Sequence, residues 1–99
     1  MGAQPFTTTD SGETVQEAFS NAVKEAQFMN GHGGYTGTIA EKGSFKLIPR
    51  SEMDDGEDEY DFAYRLIDEC DSRVDDKWGP AGAVKMDEGK WLFFGWASC

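Results

Sequence analysis

The chain has 99 residues, nineteen acids against nine lysines and arginines, and a formal net charge of −10 at neutral pH. This length fits one hydrophobic core and excludes a second domain, and seven Phe, three Tyr and three Trp exclude wholesale disorder. Excess acid repels phosphate backbones and anionic headgroups, so direct nucleic-acid and membrane-surface binding are disfavoured and basic proteins are the favoured partners.

Residues 1–9 read as a flexible N-terminus. They hold no basic, apolar leader, and no run in the chain reaches the ~18 apolar residues of a membrane span. Two cysteines, Cys70 and Cys99, do not form the disulfide framework of a small secreted domain, so a reducing, cytoplasmic setting is expected.

Val15, Ala18, Phe19, Ala22, Val23, Ala26 and Met29 fall on one helical face, which predicts a first helix over residues 11–30. Asp10 and Glu13 suit a capping box, and Gly31 a C-terminal cap. The Tyr, Thr, Ile and Phe content of residues 35–48, broken at Lys42-Gly43-Ser44, predicts a β-hairpin. Residues 51–59 then read as a mobile, solvated acidic loop. Phe62, Ala63, Leu66, Ile67, Cys70 and Val74 mark a second helix over residues 58–72 and place Cys70 in the core. A second hairpin follows, strands 83–86 and 91–96 around Asp87-Glu88-Gly89-Lys90. Trp78, before Gly79-Pro80, is expected to pack under the crossover turn.

The expected fold is thus one α+β domain over residues 1–99. Its order is α-β-β-α-β-β, a two-layer structure with an antiparallel sheet of two hairpins packed by two helices. Residues 91–96 are apolar on both faces, and two helices cover one sheet face, so the aromatic face of 91–96 is a candidate homodimer surface.

Twelve acids and two bases lie between Glu52 and Asp76, and the remaining seven acids and seven bases cancel. On a helical wheel Asp61, Asp68, Asp71 and Asp75 gather opposite the core with Tyr64, while Arg65, Glu69 and Arg73 form a self-neutralising flank. Carboxylates repeated along a helix lie ~5–6 Å apart and imitate the phosphates of a strand crudely. This stripe, with Asp54, Asp55 and Asp58 of the loop, is the candidate partner-binding surface; a solvated helix face is the plainer account of the same pattern.

Other motifs are incomplete. Aligning Gly56 with the sixth position of a calcium loop puts Ser51, Met53 and Phe62 where ligands are needed. His32 is the only histidine and has no zinc-spaced partners, so no metal is expected, and no cofactor. The glycine-rich run 31–37 closes a helix where a dinucleotide fingerprint must open one, and lacks the ending of a P-loop. It leaves an alternative ligand site formed by Gly33, Gly34, Tyr35, Thr36 and Lys42. No nucleophile–base pair stands out, because Cys70 is expected buried, and an enzyme is not expected.

Residues 35–42 (Tyr-Thr-Gly-Thr-Ile-Ala-Glu-Lys), 76–81 (Asp-Lys-Trp-Gly-Pro-Ala) and 93–98 (Phe-Phe-Gly-Trp-Ala-Ser) resemble small uncharacterised acidic proteins of phages and other mobile elements. The resemblance carries no mapped site. It implies a setting in the host cytoplasm, where compact acidic phage proteins inhibit host enzymes, including restriction and CRISPR complexes. The expected function is a non-enzymatic acidic interaction or inhibitor protein that binds a basic, nucleic-acid-binding surface. The alternative is a small-molecule or nucleotide-binding domain using the 31–37 segment.

Overall fold

In a computed structural model the described residues are 2–30 and 37–98, with side chains of residues 30 and 98 left aside. The elements are β1 (Ala3–Ser11), α1 (Val15–Asn30), β2 (Phe45–Leu47), α2 (Glu59–Asp68), β3 (Ala81–Asp87) and β4 (Lys90–Ser98), with single 3-10 turns at Ile39–Glu41 and Arg50–Glu52. The class is α+β, with one four-stranded sheet in the order β1-β4-β3-β2. β1 and β3 run antiparallel to β4, while β2 runs parallel to β3. The sheet is therefore mixed, and β2-α2-β3 is a crossover unit rather than part of two separate hairpins.

Both predicted helices form, each shorter than expected: α1 begins at Val15 rather than at residue 11, and α2 ends at Asp68 rather than at residue 72. Thr14 begins α1: its Oγ1 accepts from the Glu17 N–H at 3.1 Å, so Thr14-Val15-Gln16-Glu17 supplies the cap that was expected from Asp10 and Glu13. Asp58 caps α2 by accepting from the Asp61 N–H at 2.7 Å. The hairpin β3–β4 forms at the expected turn, where Gly89 has φ +71°.

Three expectations are corrected. First, residues 3–9 are a strand, not a flexible tail. Phe6 enters the core and Thr7, Thr8 and Thr9 supply β-branched residues along the edge of the sheet. Second, the predicted hairpin 35–48 reduces to β2, three residues long, after a 3-10 turn capped by Thr38; residues 35 and 36 lie outside the described residues.

Third, the helices lie on opposite sheet faces, so the fold has three layers. α1 packs with Phe6, Ile39, Ala81, Ala83, Trp91, Phe93 and Ala97, whereas α2 packs with Ile48, Val74, Val84, Leu92 and Phe94. The first core contains a ring cluster, with Phe19 5.1 Å from Phe45 and 5.6 Å from Phe93. Strand β4 is central and covered twice, which is why it is apolar at every position from Trp91 to Phe94. The aromatic face of 91–96 is consumed by the chain's own helices, and the ground for a homodimer through it is removed.

Candidate functional site

The acidic segment is built around three arginines. Arg73 meets both carboxylate oxygens of Glu52, Nη1 to Oε2 at 2.8 Å and Nη2 to Oε1 at 2.7 Å, and also holds Asp71 through Nε at 2.9 Å. Arg65 grips Glu57 in the same two-pronged way, at 2.9 and 3.0 Å, and donates to the Glu52 carbonyl at 3.1 Å. Arg50 bonds Glu59 at 2.7 Å and also donates to the Lys85 carbonyl. Within the loop, Glu57 Oε1 accepts from the Asp54 N–H at 3.0 Å. Paired, planar contacts of this kind fix orientation as well as charge.

Hydrogen bonds from Arg73 hold Glu52 and Asp71 below their ordinary carboxylate values, and Arg65 does the same to Glu57. Both guanidiniums are raised in turn by these partners. The loop 51–59, expected to be mobile and solvated, is exposed at Ser51, Glu52, Asp54, Asp55, Gly56 and Asp58 but is strapped to α2 and to the segment after it. The self-neutralising flank is also different: Arg65 reaches Glu69 only at 3.7 Å, while Arg73 turns to Glu52 and Asp71.

The expected stripe divides. Asp61 and Asp68 lie on α2 and are exposed, with Tyr64 between them. Asp71 and Asp75 lie beyond its last residue, because the helix ends at Asp68. Asp71 is tied to Arg73, whereas Asp75 is exposed. In the loop, Asp54 lies 3.7 Å from Arg65, Asp58 is spent as the helix cap, and Asp55 is exposed. Among the described residues, Asp55, Asp61, Asp68 and Asp75 make no ion pair.

The alternative site is not assembled by what is described. Gly33, Gly34, Tyr35 and Thr36, with His32, lie outside the described residues. Lys42, expected to face a ligand, is 4% exposed. Its ammonium donates to the carbonyls of Gly79 at 2.9 Å, Asp76 at 3.1 Å and Lys77 at 3.4 Å. Burial pulls it below its ordinary value of 10.5, against the opposing charge of Asp76. Lys42 is a pin for the crossover loop, and no periodicity signals such a role.

Two further readings change. Cys70 is exposed, not in the core, and adopts φ +55° just past α2. Trp78 is 63% exposed, with the Lys77 ammonium 5.2 Å from its ring centre, so the ring does not pack under the turn. Among the described residues there is no group of three His, Cys, Asp or Glu able to hold a metal, and no helix long and apolar enough to cross a membrane. Comparison of the chain with family models, curated proteins and solved structures finds no match.

Proposed function

We propose that the chain is a non-enzymatic interaction protein whose acidic face, centred on Asp55, Asp61, Asp68 and Asp75, binds a basic protein surface. The observation that carries this reading is the use of Arg50, Arg65 and Arg73. All three are committed to internal partners, and among the described residues Asp55, Asp61, Asp68 and Asp75 take part in no ion pair. The same bonds brace the backbone beneath, which lowers the ordering cost of association. The arginine-bound carboxylates are best read as scaffold, the exposed aspartates as the contact set.

The finer reading is a phage-type inhibitor, of the anti-restriction or anti-CRISPR kind, that occupies a groove made for nucleic acid. It rests on the resemblance of residues 35–42, 76–81 and 93–98 together with the acidity of the face.

The test is a pull-down from the native host with the wild-type chain and with a variant carrying Asp→Asn at 55, 61, 68 and 75. A captured basic protein should be lost between about 50 and 500 mM salt, be displaced by added DNA, and be retained at least tenfold less by the variant. Equal capture by both chains would refute the proposal.

A further inference from the structure

The sheet has two unlike edges. β2 exposes three residues, too short to template another strand, whereas β1 is paired to β4 from Ala3 to Ser11 without a register shift. Its far side has no strand beside it among the described residues. Edges of this length are ordinarily blunted by charged residues, prolines, bulges or a cover. Ala-Gln-Pro-Phe-Thr-Thr-Thr-Asp-Ser has no lysine and no bulge, and its one proline, Pro5, blunts only the end near Ala3.

Two observations give the parity of the open side. Proline cannot donate to a ladder, so within a sheet its nitrogen faces the free edge, and Pro5 therefore turns the odd-numbered residues outward. Ser11 has the same parity and agrees. Its N–H donates to Asp10 Oδ1 at 2.8 Å and its carbonyl accepts from Asn21 Nδ2 at 3.0 Å. These bonds close the edge at Ser11, and Pro5 offers no donor at the other end. Between them stand the outward N–H groups of Thr7 and Thr9 and the carbonyls of Pro5, Thr7 and Thr9.

We propose that a second copy of this chain occupies this window, with the two β1 strands antiparallel about a two-fold axis at Thr7, giving one continuous eight-stranded sheet. The two Thr7 residues exchange a pair of N–H···O=C bonds. Each Thr9 N–H donates to the Pro5 carbonyl across the seam. Asp10 stands opposite the Gln4 amide, so no like charges face each other along the strands. A register centred on Thr8 makes as many bonds but sets Asp10 against Phe6.

The α2 face supplies cover for the seam. Tyr64, 46% exposed, places its hydroxyl 3.4 Å from Thr7 Oγ1, at the centre of the window. α2 packs on Leu92 and Phe94 of β4, one strand in from the edge. At ~4.8 Å per strand its symmetry mate stands about 14 Å away, a gap that Tyr64 and Tyr60 of both copies can fill.

Two chains of charge −10 repel, so this association strengthens with salt, whereas binding of a basic partner weakens. The two ideas therefore fail separately. The test is sedimentation of the full chain from about 10 µM to 1 mM in low and high salt, with amide exchange read at Thr7, Thr8 and Thr9. The expected result is a dimer of the 10.9 kDa chain, favoured by salt, in which the Thr7 and Thr9 amides slow at least tenfold with concentration while Thr8, bonded to β4, does not change. Thr7→Pro, which removes the central donors, should keep the far-ultraviolet circular dichroism and weaken the dimer at least tenfold. A monomer throughout, or a dimer whose Thr7 and Thr9 amides exchange as in dilute solution, overturns the proposal.

Discussion

Cys70 shows how one residue can end a helix against its own preference. The Asp71 N–H bonds the Leu66 carbonyl at 3.0 Å and the Cys70 N–H bonds that of Ile67 at 3.1 Å, the paired closure in which the residue at Cys70's position must be left-handed. Glycine is usual there, and a residue with a Cβ is strained by roughly 1 kcal/mol. Cys70→Gly should therefore raise the unfolding free energy by about 1 kcal/mol, less the entropy glycine returns to the unfolded chain. Urea unfolding measures it, and a destabilised variant would contradict the closure. In the sequence, cysteine continues the apolar period, which predicts a longer helix, a buried Cys70, and Asp71 and Asp75 on its outer face.

At the scale of elements, the arginine clamps tie the loop 50–59 to α2 and to the turn after it. Glu52, Glu57 and Asp71 titrate lower in the folded chain than their ordinary values of 4.5, 4.5 and 3.8. Their contribution is complete above those values and is lost as pH falls through the depressed ones, because the unfolded chain takes up protons first. Urea midpoints followed from about pH 6 to pH 2 should fall more steeply for the wild type than for Arg73→Gln; parallel curves would show that the clamp does not couple to folding. What was legible in the sequence follows the same division. α1, α2 and the β3–β4 hairpin announce themselves by period and turn chemistry, as do the exposed Asp61 and Asp68. The pairs Arg73–Glu52 and Arg65–Glu57 obey no helical or strand spacing, and neither does the reach of Lys42 to the 76–79 loop. Only the fold brings those partners together. β1 escaped because an edge strand half in water needs few apolar residues, and Phe6 alone did not mark a face.

For the whole molecule, β1 is a structural member. It covers the outer side of β4 and sends Phe6 into the α1 core, and Gln4 Nε2 donates to the Gly37 carbonyl at 3.1 Å. Deleting residues 2–11 should abolish the cooperative unfolding transition seen by circular dichroism and calorimetry, since β4 would lose a nine-residue partner. A truncated chain that melts like the full one would return those residues to the status of a loose tail.

The pairing of β1 with β4 also orders events during synthesis. Of the described strands, the first in the chain has the last as its partner, and α1, α2 and the β2–β3 unit all emerge between them. Until the ribosome has released β4, the Thr-rich strand has nothing to pair with and Phe6 no sheet to cover. The nascent chain must therefore wait with its open strand exposed, and completion of the sheet is an event that follows translation of the described chain.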